Sequence, residues 1–397
     1  MQRHVVIVGG SLAGLRAAQA LRRRGHDGAL TVVGGEPDPP YDRPPLSKQL
    51  LAGAASPSSL DLPVPDGLDA AWLLGVPATG LDRAARTVHL ADGRQVGYDA
   101  LVLATGARAR SWPHLSPSAQ PWTLRTRDDA SALAAVLRPG ARLLVVGGGF
   151  LGGEIASAAR ARDLQVSLVE PQNLPLGSVL GPVVGRWAAD LHRNAGVDLR
   201  LGVRVDRLLP GPAGRASGAV LSDGSTPRAD IVIAALGATP NTGWLARSGL
   251  RLDAGVVCDA WCRPLLQDGR PAAGIIAAGD VARWPHPFSG GALVALGHWS
   301  NAHEQADAAA RTLLEGDAAP AYVPVPSFWT ELHGRKLRSV GLPHLATTST
   351  ATQTDSQGQP SVVCYYQGTD LVGGLTIDRA SQLAGLRAQL QARLTHP

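Results

Sequence analysis

Cysteine is scarce in this chain. The three that occur, Cys258, Cys262 and Cys364, are odd in number and show no C-x-x-C spacing, which argues against a disulfide framework and against a zinc site. They read as reduced packing residues, and no metal is expected. Lysine is scarcer still. Lys48 and Lys336 stand alone among 37 basic residues, the rest being arginines scattered along the chain. The formal charge of +5 and pI near 9.5 therefore do not form the clustered basic stripe that binds nucleic acid, although a mildly basic face for an acidic protein partner stays open. Aromatics make up only 4% of the residues. After Met1-Gln2-Arg3-His4 the chain runs into Val5-Val6-Ile7-Val8, and it holds no apolar stretch of signal-peptide or membrane-spanning length. A cytoplasmic protein with no membrane contact is expected.

Glycine, by contrast, is abundant. There are 47 glycines in 397 residues of which 45% are hydrophobic, a composition suited to close-packed α/β layers and long enough for two or three domains. The strongest organising signal is an internal repeat. Val5-Val6-Ile7-Val8-Gly9-Gly10-Ser11-Leu12-Ala13-Gly14 returns as Leu143-Leu144-Val145-Val146-Gly147-Gly148-Gly149-Phe150-Leu151-Gly152: an apolar strand, a Gly-rich turn and a helix start. The second copy is a full G-x-G-x-x-G, and the first places Ser11 at the middle glycine, a substitution small enough to let a pyrophosphate approach the backbone.

About 20 residues beyond each turn a second strand leads to an acid, Glu36 and Glu170, where a ribose hydroxyl is held. In each copy a helix N-terminus offers unpaired amides and the positive end of its dipole to phosphate. Two such units in one chain point to two dinucleotides. Glu170 repels a 2′-phosphate, and Pro171-Gln172-Asn173 supplies no adjacent arginine, so the second site is expected to prefer NADH to NADPH.

Asp99–Ala107 and Asp230–Ala238 are matched apolar strands ending in small-residue turns, read as the crossings between nucleotide domains. The turns contribute Ala104, Thr105, Gly106 and Gly237 to the cofactor set. Asp92-Gly93 and Asp223-Gly224 precede them as hairpin turns. Gly274-Ile275-Ile276-Ala277-Ala278-Gly279-Asp280 places Asp280 at the carboxyl end of a strand, where α/β sheets bind ligands. Gly255–Cys262 reads as strand-like, with both cysteines on one face.

Tyr41-Asp42-Arg43-Pro44-Pro45-Leu46-Ser47-Lys48 resembles the signature of the ferredoxin reductases that serve oxygenase and cytochrome P450 systems. Gly147–Glu154, Gly279-Asp280, Trp299-Ser300-Asn301-Ala302 and Phe328-Trp329-Thr330-Glu331 resemble the same family, and the likeness runs from Val5 to about Arg379. It implies an α/β chain with two Rossmann-like domains, one for FAD (1-109 and 237-317) and one for NAD (110-236), followed by a C-terminal α+β interface domain (318-397). It implies FAD on Gly9, Ser11, Ala13, Gly14, Glu36 and Asp280, with Arg43, Arg125 and Trp299 in the same cofactor set. NADH is expected on Gly147, Gly149, Phe150, Leu151, Gly152 and Glu170. Lys48 matches the family's lysine at the reactive flavin edge, Glu154 its carboxylate partner, and Trp329 the tryptophan that packs by the flavin and faces the acceptor.

The implied activity is hydride transfer from NADH to FAD, then single electrons to a small [2Fe-2S] ferredoxin, by a monomer or homodimer. The chain departs from the family pattern at Ala295, Gly297 and Leu332, near the expected exposed flavin edge. Those departures keep a second reading open, an NADH oxidase or an FAD enzyme acting on a small biosynthetic substrate. A third reading is a redox-sensing flavoprotein of the apoptosis-inducing-factor kind. Flavin disulfide reductases are set aside, because Glu36 to Leu60 contains no cysteine to relay electrons. Pro343 to Pro360, rich in Thr, Ser and Gln, is expected to be a polar surface loop.

Overall fold

A computed structural model describes residues 3–113 and 116–395; residues 1–2, 114–115 and 396–397 of the expected domains lie outside it. The α-helices among the described residues are α1 (Leu12–Arg23), α2 (Arg127–Val136), α3 (Phe150–Arg160), α4 (Gly177–Asn194), α5 (Trp299–Glu315) and α6 (Ala380–Thr395). None is long and apolar enough to cross a membrane. The chain forms two compact units, each assembled from three segments: 1–42, 61–108 and 239–326 in the first, 43–60, 109–238 and 327–397 in the second.

The first unit is built on a five-stranded sheet in the order Ile275–Ala277, Ala100–Leu103, Val5–Val8, Leu30–Val33, Ala70–Leu73, with every pairing parallel. Val5–Val8 and Ala100–Leu103 are buried along their whole length, as parallel strands covered on both faces must be. That is why they read as unbroken apolar runs. α1 ends on Arg22 and Arg23, and Gly25 follows at φ +86°, so cations and a left-handed glycine finish the helix. Gly93 turns the hairpin between Thr87–Leu90 and Gln95–Gly97 at φ +86°.

The second unit repeats the pattern with the parallel order Asp198–Leu201, Gln165–Glu170, Arg142–Val146, Ile231–Ala234. It also contains a five-stranded antiparallel sheet, Ser327–Leu332, Arg335–Gly341, Asp370–Ile377, Pro360–Gln367, Thr348–Thr354. One core joins α4 to this antiparallel sheet: Leu180, Val184 and Trp187 pack with Leu332, Leu337, Val363, Tyr365 and Leu375. α4 is kinked where Gly181 takes φ 70° ahead of Pro182. The Leu180 carbonyl, just ahead of the kink, accepts the Tyr365 hydroxyl at 3.0 Å, which ties α4 to the antiparallel sheet at that point.

Two expectations need correction. Thr348–Thr354 is a strand rather than a loop, paired antiparallel with Pro360–Gln367; it lies at the sheet's edge and is mostly exposed, where β-branched threonines suit the pleat and a polar face discourages further pairing. Around Cys258 and Cys262 only Val256–Val257 is strand. Cys262 sits at φ 63° beyond a turn, so no pleat sets the two thiols on one face, although both are buried.

Candidate functional sites

In the first unit the Gly-rich turn is closed by backbone contact. A Cβ on Gly9 would fall 2.0 Å from the Ala104 carbonyl oxygen, and one on Gly14 would fall 1.8 Å from that of Gly9. The second unit reproduces the geometry, 2.4 Å from the Ala235 oxygen at Gly147 and again 1.8 Å at Gly152 from that of Gly147. Ser11 and Gly149 are the N-cap residues of α1 and α3, both extended, and neither helix has a side-chain cap or an acid in its first turn. α2 shows the alternative, a full capping box between Thr126 and Asp129. A helix that must hold a phosphate cannot fill its own N-terminus.

A Cβ at Gly149, Gly106 or Gly237 would meet no protein atom within 4 Å, so the backbone at these three turns borders open space. The bare amides and clear approach fit a dinucleotide pyrophosphate in both units.

The acids stand where the repeat places them. Glu36 accepts the buried Tyr41 hydroxyl on Oε2 at 2.5 Å. Glu170, the last residue of its strand, accepts Gly148 N–H on Oε2 at 2.6 Å and Gln172 N–H on Oε1 at 2.9 Å. An ionised carboxylate offers about four lone-pair sites, so each Glu170 oxygen keeps capacity for a ribose hydroxyl. Asp280 follows Gly279, whose N–H donates to the fully buried Gln305 Oε1 at 2.9 Å. Trp299, at the start of α5, donates its Nε1–H to Asp42 at 2.7 Å and stacks on His303, with ring centroids 5.8 Å apart. Ala13 packs beneath this turn, 3.0 Å from where a Gly279 Cβ would lie. Thr105 Oγ1 donates to the Asn241 carbonyl at 2.9 Å.

Lys48 and Glu154 both belong to the second unit and are ion-paired there, Nζ to Oε1 at 2.7 Å, with side chains 14% and 9% exposed. Arg43 Nη1 donates to the Arg125 carbonyl at 2.8 Å, tying the Lys48 segment to the residue ahead of α2. Phe150 packs edge-on against Phe328, with centroids 5.0 Å apart. Leu151 follows on the first turn of α3.

Trp329 is 44% exposed, pairs across the strand with Arg338, and is not a core residue. Of the three departures, Ala295 and Gly297 are exposed but Leu332 is fully buried in the α4 core, so it does not alter an exposed edge as its place in the motif suggested. Sequence reasoning missed Tyr41, Ser47, Gln305 and Thr330. Tyr41, Ser47 and Thr330 lay inside the motifs quoted; the partner of Ser47 and Thr330, Glu154, is 107 and 176 positions away, and although Glu36 is only five residues from Tyr41, no spacing rule marks that bond.

Residues 3–306 match the pyridine nucleotide-disulphide oxidoreductase family. Rhodocoxin reductase of Rhodococcus erythropolis is 36% identical over 381 residues, 94% of this chain and 86% of that protein. The ferredoxin--NAD(+) reductase subunit of the benzene 1,2-dioxygenase system of Pseudomonas putida is 36% identical over 351 residues, 86% and 81% of the two chains. Among solved structures, the covalent putidaredoxin reductase-putidaredoxin complex aligns with TM-score 0.89 and 33% identity over 97% of this chain and 92% of that one.

Proposed function

The chain belongs to the pyridine nucleotide-disulphide oxidoreductase family, among the ferredoxin reductases of oxygenase and P450 systems, and we propose that it is itself an FAD-dependent NADH:ferredoxin reductase. In this reading it takes a hydride from NADH and passes electrons singly to a small [2Fe-2S] ferredoxin that feeds an oxygenase or a cytochrome P450, in the cytoplasm, where NADH is at hand. The observation that carries the reading is the duplicated site: two uncapped helix N-termini behind matching glycine turns, each served by a carboxylate.

FAD, when bound, supplies the step from two-electron to one-electron chemistry. The protein's part is to bind, orient and balance charge. α1 takes one pyrophosphate with Gly9, Ser11, Ala13 and Gly14, Glu36 takes its ribose, and Asp280 takes the ribityl chain. Ala104, Thr105, Gly106, Gly237, Arg43, Arg125 and Trp299 complete the flavin contacts. α3 takes the nicotinamide dinucleotide with Gly147, Gly149, Phe150, Leu151 and Gly152, and Glu170 holds its ribose. Lys48 is the cation that offsets negative charge on the reduced ring, and Glu154 offsets the cost of burying that cation. Trp329 is the aromatic presented to the acceptor.

The purified protein should be yellow and release unmodified FAD on denaturation, since no residue is placed as a flavin nucleophile. With NADH it should reduce cytochrome c quickly only when a [2Fe-2S] ferredoxin is added. A colourless folded protein that takes up no FAD defeats the reading. NADH consumption at the same rate with oxygen alone replaces it by the NADH oxidase alternative.

A further inference from the structure

Glu154 is held by more than its lysine. Its Oε1 accepts Lys48 Nζ at 2.7 Å and the Thr330 hydroxyl at 2.6 Å, and its Oε2 accepts the Ser47 hydroxyl at 2.5 Å. Glu154, Thr330 and Ser47 are 8%, 1% and 4% exposed. The three donors come from two separate stretches of the second unit, the 43–60 segment and the strand Ser327–Leu332, and they meet on a helix from a third. Ser47 has one hydroxyl proton and two acceptors in view, Glu154 at 2.5 Å and the Pro44 carbonyl at 3.5 Å. The shorter, charge-assisted bond takes it. Lys48 also donates to the Pro44 carbonyl at 3.2 Å.

We propose that Ser47 and Thr330 are positioning residues that fix the Glu154 carboxylate, and through it the Lys48 ammonium, in the arrangement the hydride-transfer step uses. The proposal rests on the role given to Lys48 above. A carboxylate accepting from a lysine alone can rotate about its last bond and draw the ammonium with it. With a hydroxyl fixed on each oxygen it cannot, and the flexible four-carbon lysine stem acquires one resting place. An ion pair this buried is favourable only when its remaining lone pairs are satisfied and its geometry is good. Two hydroxyls from different elements meet that requirement. Thr330 adds a directional consequence: it is the inward-facing neighbour in sequence of the outward-facing Trp329, so the strand that presents the exposed indole is the strand that braces Glu154.

The composition supplies a built-in control, because Lys336, the other lysine, is exposed. Limited acylation of the intact protein, read by peptide mass spectrometry, gives the Lys48 to Lys336 ratio whether or not flavin is bound. The variants are Ser47→Ala, Thr330→Val, their combination, and Thr330→Ser, which keeps the hydroxyl.

The double variant should raise the ratio severalfold. In the holoenzyme it should slow NADH-driven flavin reduction by roughly tenfold while the dissociation constant for NAD+ stays within about twofold, and Thr330→Ser should behave as the parent. A lowered melting temperature with unchanged labelling ratio and unchanged reduction rate would overturn the proposal, leaving the hydroxyls as structural staples. So would failure of Thr330→Ser to match the parent. If the double variant does not fold, Ser47→Ala alone, a smaller lesion, decides by the same two readouts. A chain that takes up no FAD defeats the reading of function, and the labelling ratio still decides the network.

Discussion

Glu170 already carries two backbone hydrogen bonds, from Gly148 and Gln172, so its carboxylate is fixed in place and its charge is directed at whatever sits on the second glycine turn. Glu170→Ala combined with Pro171→Arg should therefore move preference toward NADPH, by removing a repulsion and adding a phosphate partner. Equal kcat/KM for the two nucleotides in the parent would show that Glu170 does not discriminate. Lys48→Met should lower the flavin potential, because a cation favours the charge gained on reduction. It should also slow flavin reduction by about tenfold if about 1.4 kcal/mol of transition-state stabilisation is lost. FAD content should not change. Dye-equilibrated potentials and stopped-flow reduction check both outcomes. At this scale the sequence disclosed what is local: the glycines, the acids at fixed spacing and the lysine in its Pro-rich loop. It did not disclose that Tyr41 donates to Glu36 or Thr330 to Glu154, because the second of those bonds spans 176 positions and depends on strand register.

The α4 kink shows how an element is completed by a neighbour. Gly181 and Pro182 kink the helix, and Tyr365 from the antiparallel sheet anchors it there by donating to the Leu180 carbonyl. Tyr365→Phe keeps the ring and removes the donor, so it should cost about 1–2 kcal/mol, seen as a lower urea midpoint with unchanged NADH affinity. An unchanged midpoint would mean that the Tyr365 bond contributes nothing to stability. Elements with a strong period or fingerprint, such as α1, α3 and the buried parallel strands, were legible because burial on both faces writes itself as continuous apolar sequence. Thr348–Thr354 was not. An exposed edge strand has no apolar alternation to betray it, and its Thr- and Ser-rich composition is shared with loops.

For the molecule as a whole, acid is the revealing stress. His192 of α4 and His333, in the turn after the Trp329 strand, lie 2.9 Å apart between ring nitrogens. Burial pushes His192 down to about 3, with His333 adding to the effect, and burial with the nearby Arg160 charge pushes His333 down to about 4. The unfolded chain takes up protons near pH 6.5, which the folded pair refuses until pH 3–4. This contribution is therefore complete above about pH 6.5 and is lost as the pH falls toward 4. His192→Leu with His333→Asn, asparagine being at ease at His333's φ of 48°, should flatten the decline in urea stability between pH 7 and pH 5; a decline as steep as the parent's would exonerate the pair. The segmental make-up of the units has a further consequence, one of timing. Ala100–Leu103 pairs on one side with Ile275–Ala277, roughly 170 residues later, which at about 5–20 residues per second is on the order of ten to thirty seconds of synthesis. Throughout that interval a wholly apolar strand edge stays open on the ribosome, although hairpins form in about 1–10 μs. Chains stopped after Arg270 should collect in the pellet and take up no FAD. The glycine turn that is translated first thus belongs to a sheet that stays unfinished until two-thirds of the protein has been made.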